Sequence, residues 1–133
     1  MNRVEIDPVW LMHVQKPARY VGGEWNSVMK NHADVDVKVA LAFPDVYEVG
    51  MSHLGLKIIY SVINSRKDAL AERVYTPWVD MEKMMRERNI PLYALESKAP
   101  IKDFDVLGLT MPYEMCYTNI LNMIDLSGIP VLS

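Results

Sequence analysis

The chain is poor in the residues that build disulfides and metal clusters. Cys116 is the only cysteine among 133 residues. A single thiol excludes an internal disulfide, and it excludes any zinc or iron–sulfur site built from several cysteines of this chain. Long apolar runs are missing as well, since the longest fall far short of the roughly 18 residues that a membrane-spanning helix needs. The sequence therefore predicts neither a disulfide scaffold nor a membrane protein.

An excess of positive charge is also missing. The formal net charge is −3 at pH 7, which gives no electrostatic footprint for nucleic acid or anionic lipid. The first seven residues, MNRVEID, carry acids where a secretory signal would be basic and then apolar. Because half of the residues are apolar, the chain can bury one core of moderate size. We therefore predict a soluble, cytoplasmic protein without nucleic-acid or membrane partners.

A strand, a loop and a helix form the centre of the chain. Residues 37–43 are almost continuously apolar, which is typical of a parallel strand covered on both faces. Pro44 ends this strand, and Ser52 is suited to cap the helix that follows. The apolar residues of that helix recur every three or four positions and are expected to lie on the sheet: Leu54, Ile58, Ile59, Val62 and Ile63.

Two more strand–helix pairs follow. The spacing predicts a strand over residues 71–75, then a helix opened by Thr76 and Pro77. A second strand is expected over residues 105–110, followed by a helix from about Tyr113. The predicted apolar face of that helix consists of Cys116, Tyr117, Ile120, Leu121 and Ile124. The helical stripe Met81, Met84 and Met85 is interpreted as core filler, because methionine packs well without any metal or partner.

Alternating strands and helices predict a parallel sheet with right-handed crossovers. We predict a flavodoxin-like, three-layer αβα domain over residues 36–133, with strand order 2-1-3. Residues 1–35 are expected to form an arm with a short helix capped by Asp7. Within this arm, Tyr20 and Trp25 lie in a segment whose composition suits either a ligand-contacting loop or a wrap docked on the surface.

In open α/β sheets, ligands bind beyond the carboxyl ends of neighbouring strands. In order 2-1-3 the loops 44–51 and 110–114 share that edge and would flank one crevice. The loop that contains Gly50 is expected to face solvent when no ligand is bound. The candidate binding residues are Pro44, Tyr47, Gly50, Met51, His53, Thr110, Pro112, Tyr113 and Glu114.

Three ligand classes can be weighed against these loops. A phosphoacceptor receiver needs an acidic pair after the first strand and an aspartate after the third, but Asp45 stands alone and Thr110 takes the third position. A flavodoxin needs a small, hydroxyl-rich phosphate loop, whereas residues 44–49 are bulky and acidic. A corrinoid, which lies across strand ends on apolar loops, is left as the candidate.

Several segments carry a family resemblance: FPDVYEVGMSHLGL (43–56), AERVY (71–75), GGE (22–24) and LES (95–97). Together they resemble the amino-terminal region of a family of uncharacterised radical SAM proteins. The resemblance implies a cobalamin-binding-like domain, followed in the parent protein by a radical SAM catalytic domain as its partner. SAM and the iron–sulfur cluster would then bind to the parent protein and not to this chain.

The chain departs from the relevant motifs at two points. Cobalamin domains that ligate cobalt use Asp-x-His-x-x-Gly, whereas Met51 precedes His53 by two positions and Gly55 follows it by two. We therefore interpret His53 as a helix-start residue. No Cys-x-x-x-Cys-x-x-Cys occurs, so this chain alone cannot hold the SAM-cleaving cluster. The alternative to corrinoid binding is a non-enzymatic interaction or scaffold domain of the same fold that has lost the cofactor.

The resemblance also implies that a further strand follows position 133. The strand over residues 105–110 would then be a sheet edge in this chain, and exposed edges tend to pair. We expect self-association through that edge, or its coverage by the tail over residues 129–133.

Overall fold

The structure, a computed structural model, describes residues 3–132. Within that range three parallel strands form one sheet in the order β2-β1-β3. The strands are β1 (Val37–Phe43), β2 (Ala69–Tyr75) and β3 (Val106–Leu109). Val39 of the central strand is in register with Ala71 on one side and with Val106 on the other. The predicted α/β class and strand order are confirmed.

Five α-helices connect or flank these strands. They are α1 (Pro8–Leu11), α2 (Tyr47–Gly50), α3 (Leu54–Asn64), α4 (Val79–Glu87) and α5 (Tyr117–Leu126). Short 3-10 turns occur at Pro17–Tyr20, His32–Asp34, Ile101–Asp103 and Glu114–Cys116. The predicted cap of α1 is confirmed, because the Asp7 carboxylate accepts a hydrogen bond of 2.9 Å from Val9 N.

The helices cover both faces of the sheet. Strand residues alternate between faces, so Leu41 and Phe43 pack under α3 while Ala40 and Ala42 face α4 and α5. The second face holds the larger core, and the predicted role of the methionine stripe is confirmed there, since all three side chains are buried: Met81, Met84 and Met85.

Three helices begin later than predicted. His53, and not Ser52, caps α3, because its backbone is still extended and its Nδ1 accepts from Leu56 N at 3.2 Å. Helix α4 begins after Trp78, since Thr76 N is held in a hydrogen bond to Asp45 O. Helix α5 follows a 3-10 turn instead of starting near residue 113.

The predicted buried face of α3 is wrong. Leu56 and Tyr60 face the sheet and Ile63 is half-buried, whereas the other four apolar residues point outwards: Leu54, Ile58, Ile59 and Val62. Two polar side chains set this rotation. The Tyr60 hydroxyl accepts from Val28 N at 2.7 Å, and the Asn64 amide exchanges two 2.9 Å hydrogen bonds with the backbone of Ala71. The helix is apolar on most of its circumference, so these contacts decide which side is buried.

Helix α5 and the arm also pack differently from the sequence-based expectation. Helix α5 buries Ile120, Met123 and Leu126, while Tyr117 and Leu121 of its predicted face are exposed. In the arm, Tyr20 is buried in the main core, but Trp25 is 99% exposed and does not dock. Tail residues 129–132 form no strand, and Ser133 lies outside the described residues.

Candidate functional site

Strands β1 and β3 are neighbours, so the loops that follow them lie at one edge of the sheet. Thr110 N donates to Ala42 O at 3.1 Å and keeps the two strand ends together. Beyond this point, side chains that follow β3 contact the loop that follows β1. The Tyr113 hydroxyl donates to Asp45 Oδ2 at 3.1 Å, and Asn119 Nδ2 donates to Pro44 O at 2.9 Å. The first hydrogen bond joins the two loops, and the second ties the loop after β1 to the first turn of α5.

The predicted crevice residues divide into two groups. Pro112, Tyr113 and Glu114 are exposed at the β3 side of the edge, and Thr110 is half-buried. The residues that follow β1 turn towards β2 and α3 instead. Pro44 is fully buried there, and the half-buried Tyr47 packs edge-on against Tyr75 at 5.4 Å.

Gly50 does not face solvent, contrary to expectation. It is buried, and a Cβ atom built on it would lie 2.5 Å from Cε1 of Tyr75 and 2.9 Å from Cδ1 of Phe43. Only glycine allows α2 to approach these rings so closely. His53 is the helix-start residue that the sequence predicts, with its ring 5.0 Å from that of Phe43.

A cavity of about 670 Å³ lies on the α3 side of β2. Its walls are α3, the outer part of β2 and the segment 24–28 of the arm. The predicted residues Tyr47 and Met51 reach it, but most of its lining was not predicted. The side chains that give it chemical character are Glu24, Trp25, Lys57, Tyr60, Arg73 and Tyr75.

Arg73 forms the floor of this cavity. Its Nε donates to Glu96 Oε1 and its Nη1 donates to Glu24 Oε2, both at 2.6 Å. The second oxygen of Glu96 accepts from the backbone N of Arg73 at 2.8 Å. The Tyr60 ring lies 5.2 Å from the guanidinium carbon. A charged group can be buried in the middle of a strand only when such partners replace water.

One atom of the guanidinium has no partner. Nη2 of Arg73 is buried and makes no hydrogen bond within residues 3–132. The side chain as a whole is 91% removed from solvent, so water does not replace the missing partner. Leaving a buried donor unpaired costs about 1–3 kcal/mol. Nη2 is thus a buried donor without an acceptor from the described chain.

Burial and pairing set the protonation of this cluster. Burial raises the pKa of Glu96, an effect that Arg73 only partly offsets. Burial acts to lower the pKa of the Arg73 guanidinium, but Glu96 and Glu24 outweigh it and raise the pKa. Burial also raises the pKa of Tyr75 to about 12.

The preceding residue of β2, Glu72, is buried on the opposite face. Its carboxylate lies 2.7 Å from Nε2 of His32 and accepts from the Ser97 hydroxyl at 2.6 Å. Two adjacent charged residues inside a predicted strand of a parallel sheet are the sequence signal for both networks, because buried charges need partners.

The cluster joins segments that carry the family resemblance. Glu24 belongs to the GGE segment, Arg73 to AERVY and Glu96 to LES, and the three side chains meet in one ion network. Each segment was visible in the sequence, but their convergence was not.

The described residues form neither a metal site nor a membrane-spanning helix. In the described part of the chain, no group of three or more His, Cys, Asp or Glu side chains could hold a metal ion. Across residues 3–132, every helix is too short or too polar to cross a lipid bilayer.

Comparison with known proteins gives one match. Residues 55–133, more than half of the chain, match the family described as "Radical SAM proteins, N-terminal". No curated protein and no solved structure matches the chain. The matched region runs from the start of α3 through all the elements that follow it. The chain therefore belongs to the family of N-terminal regions of radical SAM proteins.

Proposed function

We propose that the chain is a non-catalytic accessory module that docks onto the catalytic domain of a radical SAM protein. The observation that carries this proposal is the apolar outer stripe of α3, defined by Leu54, Ile58 and Val62, which are 70%, 53% and 61% exposed. With one cysteine in the sequence, the chain supplies too few thiolates for a SAM-cleaving cluster. That chemistry belongs to another part of the parent protein.

The stripe has the geometry of a helix-packing surface. Its residues recur every four positions, which aligns them along one side of the helix over about 12 Å. Ile59 widens the stripe and is 49% exposed. Contiguous exposed apolar residues mark interaction sites more often than isolated ones do. The family occurs as the N-terminal part of radical SAM proteins, so the catalytic domain of the same polypeptide is the partner that we propose.

Corrinoid binding is the competing proposal. It would require the loops after β1 and β3 to open around a large planar ring. Two features favour the docking role instead: hydrogen bonds from Tyr113 and from Asn119 of α5 hold the loop after β1, and Gly50 packs against aromatic rings. These contacts would have to open for a corrinoid, so no step is assigned to a corrinoid here.

A cobalamin-retention experiment separates the two roles. The purified chain is incubated with hydroxocobalamin and desalted, and the visible corrin absorption of the protein fraction is measured. We expect no absorption above that of a control protein without the fold. Stoichiometric retention would overturn the docking-only role and establish a corrinoid module.

A second experiment tests docking. The catalytic domain of the parent protein is produced separately, and its affinity for the chain is measured by titration calorimetry. The double substitution Ile58→Lys and Val62→Lys should weaken binding at least about tenfold, because it places charges in an apolar interface. Ser61→Lys, on the cavity side of the same helix, is the matched control and should leave the affinity unchanged. Equal affinities for all three proteins would refute this docking surface.

A further inference from the structure

The proposed docking role leaves the cavity beside α3 unused. Lys57, Ser61 and Asn64 of that helix line the cavity. At about 100° per residue, these positions centre about 110° away from the stripe formed by Ile58 and Val62. The volume of about 670 Å³ falls within the range of about 300–1,000 Å³ that is usual for small-molecule sites.

The charged groups around the cavity are already paired with one another. Arg73 pairs with Glu24 and Glu96, and the other oxygen of Glu24 accepts from the Tyr47 hydroxyl. Lys57 is exposed at the rim, where its ammonium keeps its own water. A charged ligand would lose its hydration in the cavity without gaining a free countercharge. The charges therefore favour a neutral ligand.

The accessible polar groups of the cavity are Asn26 and Ser61. Both side chains are exposed on its lining, and neither is hydrogen-bonded within residues 3–132. A carboxamide offers a donor and an acceptor side by side, and a hydroxyl can take either role. Asparagine uses this arrangement to form two parallel hydrogen bonds with the edge of a flat heterocycle, as it does with adenine. The matching edge carries an N–H beside a carbonyl oxygen, as in a lactam.

Aromatic side chains form the walls beside these groups. Tyr47 and Tyr75 make an edge-on pair, and Leu56 is buried next to them in the same core cluster. Trp25 lines the mouth with 99% of its surface in solvent. A fully exposed indole gains little in the free protein, but it can stack on a flat ligand at the mouth. The walls therefore favour a planar ligand.

We propose that this cavity binds a neutral, flat heteroaromatic compound with a lactam or amide edge. The edge pairs with the carboxamide of Asn26, the Ser61 hydroxyl bonds a further polar atom, and the ring stacks on Trp25. This inference goes beyond the docking role and does not depend on it, because the cavity and the stripe lie on different sides of α3.

The first test compares probes that differ in the hydrogen-bonding edge or in charge. Quinolin-2(1H)-one carries the lactam edge, and its 1-methyl derivative lacks the N–H. Both are titrated into the chain by calorimetry at neutral pH, and the lactam should bind about three- to tenfold more tightly. Equal affinities, or no binding of the lactam at low millimolar concentration, would overturn the proposal. Naphthalene-2-carboxylate should bind more weakly than the lactam, and tighter binding would overturn the choice of a neutral ligand.

A variant of Asn26 tests the pairing itself. Asn26→Ala should weaken binding of the lactam about three- to tenfold, so that the lactam and its 1-methyl derivative bind alike. Gln15→Ala is the matched control, because this exposed carboxamide belongs to a segment bound to Asp80 of α4 on the other face of the sheet. Its preference for the lactam should be that of the parent chain. A preference that survives in Asn26→Ala would refute the assigned pairing.

Trp25 provides a readout of where the probe binds. Trp25→Ala should weaken binding of both quinolinones about three- to tenfold through the lost stacking. In nuclear magnetic resonance spectra of the parent chain, the indole N–H signal of Trp25 should shift on addition of the lactam, and those of Trp10 and Trp78 should not. A shift confined to Trp10 or Trp78 would place binding elsewhere and refute the site.

Discussion

At the scale of single residues, a few side chains decide what the sequence pattern leaves open. Gly50 lets α2 lie against the rings of Tyr75 and Phe43. His53 begins α3 with its ring nitrogen. Arg73 gathers two glutamates from distant segments. Gly50 and Arg73 act through contacts with residues remote in sequence, whereas His53 acts on the helix that it begins.

Gly50→Ala should destabilise the fold. The added methyl would lie 2.5 Å from the Tyr75 ring, and forcing an extra carbon into a packed site costs about 1–3 kcal/mol. Urea unfolding followed by circular dichroism measures this loss. Ser52→Ala, two positions along and exposed, should change the free energy of unfolding by less than about 0.5 kcal/mol. A Gly50→Ala variant as stable as the parent chain would show that the loop is open, as the sequence pattern suggests.

At the scale of elements, α3 shows how an all-round apolar helix is oriented. The apolar residues of α3 recur with a helical period, but large apolar residues lie on both the buried and the exposed sides of the helix. Hydrogen bonds from Tyr60 and Asn64 to the arm and to β2 select the buried side.

This orientation predicts opposite outcomes for neighbouring apolar residues of α3. Leu56 is 2% exposed, so Leu56→Ala should lower the free energy of unfolding by about 2–5 kcal/mol. Ile58→Lys should change it by less than about 0.5 kcal/mol, because the side chain already lies in solvent. Chemical denaturation of both variants provides the comparison. If Ile58→Lys unfolded the chain, Ile58 would have to be buried, as the apolar periodicity predicts, and the observed orientation of α3 would be contradicted.

Strand β2 and its neighbours carry tyrosines that resist ionisation. Burial raises the pKa of Tyr60 and Tyr93, and it raises that of Tyr75 to about 12. The unfolded chain loses these protons near pH 10, so above that pH the folded state binds more protons. Stability should therefore fall as the pH rises from about 10 to about 12, by up to about 1.4 kcal/mol per unit for each tyrosine.

Urea unfolding across this alkaline range measures the effect. Tyr75→Phe removes one titrating group, so its stability should fall less steeply with pH than that of the parent chain. Tyr117→Phe is the matched control, because that side chain is exposed. A stability that does not change up to pH 12 would contradict the buried state of the tyrosines.

At the scale of the whole molecule, one side of the sheet is open. Strand β3 pairs with β1, and in the described residues no strand lies on its other side. The tail over residues 129–132 does not cover this edge as a strand. Unpaired edges with few charges favour pairing between molecules.

We therefore predict that the chain self-associates through β3 at high micromolar concentration. Val106 lies on this edge with 47% of its surface exposed, and a lysine on an edge strand disfavours pairing with another strand. Val106→Lys should therefore give a monomer by light scattering while the circular dichroism spectrum is retained. A parent chain that is monomeric at the same concentration would rule out this mode of association.

The sequence by itself determined the element order, the parallel 2-1-3 sheet, the cap of α1 and the buried methionine stripe. The element order, the cap and the stripe depend on local patterns of apolar period and turn residues, which can be read within one window of sequence. The strand order follows from the flavodoxin-like fold that the alternation of strands and helices predicts. It also carried the motifs that resemble radical SAM proteins, and the family match over residues 55–133 agrees with them.

Only the tertiary structure decided the rotation of α3, the closing of the β1–β3 edge and the cavity above Arg73. Each depends on side chains that meet across long sequence separations, such as Glu24 and Arg73, 49 positions apart. Apolar periodicity predicts that a helix packs against the core. It does not predict which side of the helix is buried when apolar residues lie on every side. A buried charge in a strand predicts that a partner exists, and only the packed chain identifies which glutamate it is.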